Sequence, residues 1–301
     1  MSDSLLRASP VTTPSDPSLR QSAALARVIA PWLCAPSDGA GCSSYHAVWQ
    51  YLRMLGLTRT LERQRGFYHD TLGRLAAVGG YRRLLVSGTA DHALPTYCRA
   101  AYEASDVCLD LTVLDRCPTP LAICQWHAAL TGHPLTVYAA DILQWQHPDA
   151  SFDVICSHSF LGRFRPEQQP VLLGVWHGLL RPGGKLLTAS RLQGEHRLAP
   201  EGRYSEAQIE ALRARAVAIA QGADTEIELS PECLGEMAAA YARTMTDHPP
   251  RNADTLATML EKSGFRVDSL VVEESPANVR LPVHEHEPPR WPYAMVEATR
   301  I

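Results

Sequence analysis

LLRPGGKLL, residues 179–187, joins the end of a helical pattern at 167–180 to an apolar, strand-like run at 184–190. The Arg-Pro-Gly-Gly step between them has the residue types of a turn, because proline fixes one backbone dihedral and glycine tolerates positive φ. Upstream of this turn, short apolar runs alternate with helical stretches as far back as residue 82. The turn is therefore one junction in a long strand–helix alternation, and this alternation decides the fold.

The strand-like runs in the alternation are short and nearly all apolar. Strands that helices cover on both faces have this composition, whereas half-exposed strands alternate polar and apolar residues. We therefore predict an α/β, Rossmann-like fold with a mostly parallel seven-stranded sheet and helices on both faces. The predicted strands span residues 83–87, 109–114, 135–139, 152–157, 184–190, 266–273 and 293–299.

The segments outside the alternation divide the rest of the chain. Residues 1–20 are rich in Ser and Pro and predict a disordered leader, and residues 21–80 carry the periodicity of an N-terminal helical cap. Residues 193–250 interrupt the alternation with two helical patterns, about 203–221 and 231–246, which we interpret as a helical insertion that forms a substrate lid. The α/β core then occupies residues 81–192 and 251–301.

Composition and charge exclude two classes of partner. The chain has 301 residues, a net charge of −4 and a pI of about 6.3, and Lys185 and Lys262 are its lysines. Such a chain lacks the basic field that holds nucleic acid. It also lacks an apolar run of the length that crosses a bilayer. We therefore expect neither a nucleic-acid nor a membrane partner.

The eight cysteines follow no familiar metal-binding spacing. There is no C-x-x-C, and several cysteines lie inside apolar runs, as Cys156 does in FDVICSHSF. We expect buried, reduced thiols, no metal site and a cytoplasmic protein. The alternating His284-Glu285-His286-Glu287 is flanked by prolines, which favours a loop over a metal-binding strand.

Small and acidic residues follow the first four predicted strands. Ser87-Gly88-Thr89-Ala90-Asp91 comes after the first, Asp115 after the second, Asp141 after the third and Ser157-His158 after the fourth. In a parallel sheet of this kind, ligands bind at the carboxyl ends of the strands. A small residue lets the backbone approach a ligand, and an acid after the second strand can accept both ribose hydroxyl hydrogens. The pattern indicates a nucleoside ligand.

The order of these features resembles the class I S-adenosylmethionine (SAM)-dependent methyltransferases over residues 82–190 and 253–299. The resemblance rests on Asp115, on ADI at 140–142, on SFDVIC at 151–156, on LLRPGGKLL and on EKSGF at 261–265. It implies SAM as the cofactor and an enzyme that transfers a group from it. The implied cofactor-binding residues are Ser87, Gly88, Ala90, Asp91, Asp115, Arg116, Asp141, Ile142 and Ser157.

The first strand departs from the family pattern. Family members usually end this strand with an acid followed by G-x-G-x-G, whereas this chain has Val86 at the acid and Ala90 and His92 at the second and third glycines. In the family, this acid often binds the amino group of the methionine part of SAM. The departure therefore affects the contact with this amino group. We expect Asp91 to substitute for the missing acid.

Two residues are candidates for catalysis. His158 follows the fourth strand near the expected methyl group, where a neutral imidazole can accept a proton or simply line the pocket. Tyr45, in SSYHAVWQY, belongs to the cap that would cover the cofactor, together with His46, Trp49 and Tyr51. The alternative to a role in the site is that these aromatic residues simply pack on the sheet. Three arginines near the insertion can bind a carboxylate or form a solvated surface; they are Arg191, Arg197 and Arg203.

The leading functional prediction is a methyltransferase for a small-molecule substrate. One alternative keeps SAM but transfers or cyclises its aminocarboxypropyl arm, which releases methylthioadenosine. Another is a relative of the same fold without catalytic activity, and a nicotinamide dehydrogenase fits the pattern less well. The sequence leaves the acceptor and the assembly open, including a homodimer.

Overall fold

A computed structural model describes residues 17–34, 42–58, 60–193, 203–222, 227–276 and 290–301. Its centre is one seven-stranded sheet with the order β3-β2-β1-β4-β5-β7-β6. Strands β1 to β5 run parallel, and β7 lies antiparallel between β5 and β6. The strands are β1 (Arg83–Ser87), β2 (Asp110–Asp115), β3 (Thr136–Ala139), β4 (Phe152–His158), β5 (Leu180–Arg191), β6 (Phe265–Pro276) and β7 (Arg290–Arg300).

Helices cover both faces of the sheet, which confirms the predicted fold class. They are α1 (Pro17–Leu33), α2 (Ser43–His46), α3 (Trp49–Met54), α4 (Thr60–Arg63), α5 (Arg65–Val78), α6 (Ala93–Glu103), α7 (Pro118–Thr131), α8 (Gln169–Leu179), α9 (Glu206–Gly222), α10 (Pro231–Thr244) and α11 (Ala253–Lys262). Within the described residues, none of these helices has the length and apolar character needed to traverse a bilayer.

The central strands are buried as their apolar sequences predict, but β3 is not. In β1, Leu84, Leu85 and Val86 are fully buried, since helices pack on both sides of them. Strand β3 lies at the edge of the sheet, and its residues are partly or fully exposed. Tyr138, for example, is 38% exposed. The apolar composition of LTVYA therefore predicts the strand correctly, but the burial that it predicts is wrong.

The Arg-Pro-Gly-Gly turn is absorbed into the start of β5. Strand β4 pairs Phe152 with Leu180 and then Val154 with Lys185, so the intervening residues of β5 form an irregularity in the ladder. Gly183 has a φ of 74°, in the left-handed region that favours glycine. The turn thus follows the helix as predicted. It lies within the first residues of the paired strand β5, whereas the sequence placed it before the strand.

Helix α1 begins within the predicted leader. It starts at Pro17, four residues before the predicted cap, and proline suits a first helical turn because that position needs no amide donor. Its buried positions, Leu19, Ala23, Ala26 and Ala30, follow helical spacing. Residues 1–16, Arg197 and His284–Glu287 lie outside the described part of the chain.

Asp153, at the start of β4, links the amino-terminal ends of neighbouring strands through hydrogen bonds. Its carboxylate accepts hydrogen bonds from the backbone amides of Arg82 and Arg83, at 2.9 and 2.8 Å, and from Arg181 Nε at 2.8 Å. Burial opposes the charge, but these donors hold the pKa of Asp153 below its usual value. Asp153 is therefore structural and lies far from the carboxyl ends where ligands bind.

The insertion leaves and rejoins the core at one place. The backbone amide of Gln193 donates to the carbonyl of Pro250 at 2.9 Å, and the amide of His248 donates to the carbonyl of Gly162 at 2.7 Å. Between these points, α9 and α10 pack on α2 and α3 in a shared apolar cluster. The cap and the insertion therefore meet over the carboxyl ends of the strands.

Candidate functional site

A cavity of about 520 Å³ lies at the carboxyl ends of β1, β2 and β4. Its floor is formed by the turns that follow these strands, and its walls by α2, α3, α9 and α10. Cavities of this size hold cofactors and small molecules. Predicted site residues in its wall are Tyr45, Gly88, Ala90, Asp91, Asp115, Arg116, Asp141, Ile142 and His158.

Gly88 begins the turn after β1 and needs to be glycine. Its φ is 76°, and its amide donates to the carbonyl of Leu114 at 2.8 Å, which ties the turn to β2. A Cβ atom at this position would overlap the ring of Phe160, whose Cγ would lie 2.6 Å away. Glycine is therefore required for two reasons: the positive φ disfavours other residues, and the Phe160 ring leaves no space for a Cβ atom.

Gly88→Ala is expected to lower the free energy of unfolding by about 2–4 kcal/mol, because a left-handed alanine and a displaced Phe160 ring add their costs. Urea denaturation measures this difference. The matched control is Gly73→Ala in α5, where an added Cβ meets nothing within 4 Å, and which should stabilise the helix by about 1 kcal/mol. Equal stability of Gly88→Ala and wild type would contradict the close approach of Phe160.

The departures from the family pattern have structural explanations. His92 is the N-cap of α6 with a φ of −75°, so this position needs no glycine. Val86 is fully buried in the apolar core beneath the sheet end, and it is not part of the cavity wall. An acid at Val86 would therefore need rearranged surroundings to reach a ligand in this structure.

Asp91 is held by the cap. Its Oδ2 atom accepts from Arg53 Nη1 at 2.6 Å and from Trp49 Nε1 at 3.0 Å, while Oδ1 accepts from the amide of Ala93 at 2.8 Å. Burial opposes the charge of Asp91, but the Arg53 guanidinium holds its pKa below the usual value. The carboxylate thus remains ionised and already has three protein donors. Its predicted role with the methionine amino group stays a prediction.

Asp115 ends β2 and anchors two turns. Its Oδ2 atom accepts from the amide of Thr89 at 3.0 Å, and its Oδ1 atom accepts from the amide of Cys117 at 2.8 Å. Burial raises the pKa of Asp115, and these two hydrogen bonds oppose the rise. Each oxygen has a second lone pair, so the carboxylate can accept both hydroxyls of a ribose without losing either turn.

The turn after β3 forms a further part of the cavity wall. Asp141 Oδ1 accepts from the amide of Leu143 at 3.0 Å, so the side chain also closes the turn. Ile142 is 2% exposed, and Arg116 contributes an exposed side chain to the wall. This part of the wall therefore combines an apolar side chain with an acidic and a basic one, and the predicted adenine contact stays a prediction.

Ser87 and Ser157 do not line the cavity, in contrast to their predicted role. Ser87 Oγ accepts from Trp176 Nε1 at 2.9 Å in the core beside α8. Ser157 is fully buried in β4, and its carbonyl accepts from the hydroxyl of Tyr68 at 2.6 Å. Both serines lie within strands, where neighbouring side chains point to opposite faces of the sheet. Their position along the strand was predictable from the sequence, but the face of the sheet that each side chain takes was not.

His158 lies in the cavity wall at the end of β4. Burial lowers its pKa to about 3, and the charge of Asp91 opposes this only weakly. Its Nδ1 atom is 3.4 Å from the hydroxyl of Tyr68, and its ring stacks on Tyr293 with centroids 6.4 Å apart. A group with so low a pKa is a weak proton acceptor. The structure therefore favours a neutral, hydrogen-bonding His158 over a general base.

His158 also makes the protein sensitive to acid. Its pKa is depressed in the folded state, so the stability it confers is present above the unfolded pKa of about 6.5 and is lost as pH falls towards 3. We expect the free energy of unfolding of wild type to drop by about 2–4 kcal/mol more between pH 7 and pH 4 than that of His158→Gln. Urea denaturation at both pH values measures the difference. His69→Gln, at a side chain that is 45% exposed, should follow wild type, and an equal drop in all three proteins would contradict a buried neutral imidazole.

Tyr45 belongs to an aromatic group on the roof of the cavity. Its ring stacks on Trp49 and on Tyr241 with centroids 5.5 Å apart in each case, and the Arg163 guanidinium lies 5.7 Å from its centre. Burial raises the pKa of Tyr45 to about 12, which keeps its hydroxyl protonated. Tyr45 can thus donate a hydrogen bond and offer a ring face, and it is poorly suited to act as a base.

Two arginines and an aspartate lie at the end of the cavity formed by the insertion. Arg191 Nη1 is 3.1 Å from Asp247 Oδ2, and Arg163 Nη1 donates to the carbonyl of Thr246 at 3.0 Å. Of the three arginines considered from the sequence, Arg191 therefore lines the cavity. Arg203 is exposed at a bridge to Thr246, and Arg197 is among the residues that the structure does not describe.

Residues 96–184 match the family model of a methyltransferase domain. The matched segment runs from α6 into β5, and it contains Asp115 and Asp141. The flanking strands complete the seven-stranded sheet with its antiparallel β7. This segment is the central part of the region that resembles the class I SAM-dependent methyltransferases.

Several solved structures are similar to this chain. The N-methyltransferase NodS from Bradyrhizobium japonicum, in complex with S-adenosylhomocysteine, has 16% identity and a TM-score of 0.46, over 94% of this chain and 98% of its own. A SAM-dependent methyltransferase from Methanosarcina mazei has 14% identity and a TM-score of 0.47, over 74% and 94%. The [4+2]-cyclase SpnF has 16% identity and a TM-score of 0.48, over 94% and 93%. The curated proteins contain no match to the sequence.

The residues present fit SAM, which is the cofactor of the family. Asp115 offers two acceptor oxygens and Ile142 gives an apolar surface for the adenine, while Gly88 gives the first turn a left-handed backbone that packs against the Phe160 ring. Sequence reasoning missed Arg53, which lines the same cavity and neutralises Asp91. It had no means to find Arg53, because an arginine in a helical pattern is most often solvated.

Proposed function

We propose that this methyltransferase acts on a small, planar molecule that carries an anionic group. The observation that supports the proposal is the continuity of one cavity, which extends from the cofactor-binding turns to an aromatic and basic pocket under α9 and α10. A volume of about 520 Å³ suits SAM together with a small acceptor.

The aromatic roof supports a planar acceptor. Tyr45 and Trp49 have their planes 20° apart, Tyr45 and Tyr241 have theirs 24° apart, and the three ring centroids lie 5.5–6.2 Å from one another, so the rings form one compact apolar cluster. Flat rings pack on such surfaces, and a sulfonium is attracted to the negative face of an aromatic ring. The same group thus serves the cofactor and the acceptor.

The charges at the acceptor end support an anionic group. Arg163, Arg191 and Asp247 sum to one positive charge, and the Asp247 carboxylate holds Arg191 in place. Burial opposes the charge of Arg163, but neighbouring groups raise its pKa above the usual value, so the guanidinium stays charged. A carboxylate or phenolate on the acceptor would complement this pocket.

The reaction we propose is in-line attack by an acceptor heteroatom, and SAM supplies an electrophilic methyl group. The chain contributes positioning and exclusion of water: the aromatic roof orients the acceptor, and Arg163 holds its anion. Through the ring nitrogen that carries its proton, neutral His158 can donate a hydrogen bond to an ionised attacking atom, and protonated Tyr45 can donate one to the acceptor. Ionised acceptors need no strong base, which agrees with the low pKa of His158.

The product of the reaction tests this proposal. Purified enzyme is incubated with SAM and with a panel of phenols, aromatic carboxylates and their uncharged esters, and the nucleoside products are separated. We expect S-adenosylhomocysteine, with the anionic acceptors preferred over their esters, and loss of that preference in Arg163→Met. Equal rates with acids and esters would contradict the anionic pocket.

The aminocarboxypropyl alternative is favoured by one observation: Val86 is buried, and Asp91 is already held by Arg53 and Trp49, so the methionine end of SAM is bound in an unusual way. Release of methylthioadenosine in the same assay would replace the methyl-transfer proposal. Calorimetry with S-adenosylhomocysteine tests the third alternative, because a fold relative without cofactor would give no binding heat at high micromolar ligand.

We place this activity in the cytoplasm, without nucleic-acid or membrane partners. The support is the reduced state expected for buried cysteines and a net charge of −4 with few lysines. Fractionation of cells that produce the protein, and chromatography on heparin, test the two parts separately.

A further inference from the structure

Four potential metal ligands from three separate parts of the chain meet beside the cofactor cavity. Cys34 follows α1, Cys42 precedes α2, His46 ends α2, and Cys117 is the N-cap of α7. Their sulfur and nitrogen atoms all lie within 4.8 Å of one another. The sequence prediction of no metal site did not anticipate this group.

The distances within the group are those of a tetrahedron around one ion. Cys34 Sγ lies 3.4 Å from His46 Nδ1 and 3.6 Å from Cys117 Sγ, and Cys42 Sγ lies 3.5 Å from Cys117 Sγ. With Zn–S bonds of about 2.3 Å and Zn–N bonds of about 2.0–2.1 Å, the edges of a tetrahedral site are about 3.5–3.8 Å. The remaining pairs of donor atoms lie within 4.8 Å, and side-chain rotation has to shorten the longest of these separations.

The surroundings also suit a bound metal better than simple packing. Cys34, His46 and Cys117 are 6–7% exposed, yet the apolar cluster at this point adds little more than Ala30 and Ala47. Thr119 Oγ1 lies 3.1 Å from Cys34 Sγ and can donate to a thiolate. Hydrogen bonds of this kind orient and stabilise sulfur ligands in metal sites.

We propose that Cys34, Cys42, His46 and Cys117 bind one zinc ion. Three soft sulfur donors and one imidazole in a tetrahedral arrangement select zinc among the common divalent ions. Four protein donors complete the coordination, as in sites that stabilise structure. The ion would join the end of α1 and the short helix α2 to the start of α7.

This position connects the ion to the cofactor site. The amide of Cys117 donates to Asp115 Oδ1, and His46 is next in sequence to Tyr45 on the roof of the cavity. Zinc would therefore fix the cap relative to the ribose-binding acid. The site itself is independent of which acceptor the enzyme uses.

Metal content and cobalt spectroscopy test the proposal on the full-length, reduced protein. We expect one zinc per chain after purification with zinc in the medium. Replacement by Co²⁺ should give sulfur-to-cobalt charge-transfer bands and the intense visible bands of a tetrahedral ion. Cys42→Ser and Cys117→Ser should weaken zinc binding by more than about 100-fold in competition with a chromophoric chelator. His46→Cys should retain zinc with an altered cobalt spectrum.

The controls are Cys108→Ser and Cys233→Ser, at exposed cysteines outside the group, and both should bind zinc as wild type does. Absence of tetrahedral cobalt bands in folded wild-type protein would overturn the proposal. So would unchanged zinc affinity in both Cys42→Ser and Cys117→Ser. A disulfide within the group in place of a metal, detected by mass spectrometry without reductant, would overturn it as well.

Discussion

Asp115→Asn raises the dissociation constant for S-adenosylhomocysteine by about 100-fold, a loss of about 3 kcal/mol. This is the largest effect that we expect on cofactor binding. The carboxylate accepts two backbone hydrogen bonds and keeps one lone pair on each oxygen for the ribose hydroxyls. The amide replaces one acceptor by a donor, so it forfeits a charged hydrogen bond and turns an NH₂ group towards a neighbouring donor.

Isothermal calorimetry measures the change, and circular dichroism shows whether the variant is folded. Asp110→Asn is the matched control, because Asp110 begins the same strand and is exposed at its opposite end. It should bind S-adenosylhomocysteine within about twofold of wild type. An Asp115→Asn protein that is folded and binds normally would show that the ribose is held elsewhere.

Arg53→Met lowers the free energy of unfolding by about 3–5 kcal/mol, because it leaves a buried carboxylate without its counter-charge. The side chains of Arg53 and Asp91 are 6% and 4% exposed, and Arg53 Nη1 lies 2.6 Å from Asp91 Oδ2. Arg53 also bonds Glu62, at 2.7 Å through Nη2. The pKa of Asp91 is below its usual value, so the stabilisation persists at neutral pH and is lost as pH falls below about 4.

A double-mutant cycle with Asp91→Asn separates the pair from its surroundings. The double variant should cost less than the sum of the two single variants, since removal of both charges leaves neither one buried alone. Arg213→Met is the control, because Arg213 pairs with Glu210 at the surface, where the side chains are 35% and 61% exposed. It should leave the free energy of unfolding close to that of wild type, because solvent screens an ion pair at the surface. Additive effects at Arg53 and Asp91 would contradict a coupled pair.

The fold was predictable from the sequence because its information is local. Each strand is an apolar run such as LLV at 84–86, each connection carries turn residues, and the parallel order follows from the alternation itself. Asp115 was predictable for the same reason: the end of a strand is visible in the sequence, and the carboxyl ends of parallel strands meet at one edge of the sheet.

The remaining parts of the site depend on contacts between distant segments. Arg53 and Asp91 are 38 residues apart, and Cys42 and Cys117 are 75 apart, so neither spacing forms a local pattern. Ser87 and Ser157 were misassigned because a strand position does not reveal which face its side chain takes. The low pKa of His158 likewise arises from helices that pack over it.

The hydrogen bond from Gln193 to Pro250 brings the two ends of the insertion together. The insertion is therefore a segment separate from the turns at the ends of β1 and β2. The insertion starts and finishes at neighbouring points beside the carboxyl end of β5, and it provides Tyr241, Met245 and Asp247 to the cavity wall where we propose that the acceptor binds. A different insertion joined at the same two points would leave Gly88, Asp115 and their turns in place. Acceptor preference can therefore diverge among relatives of this chain, by exchange of one segment, while the part that holds the cofactor is inherited intact.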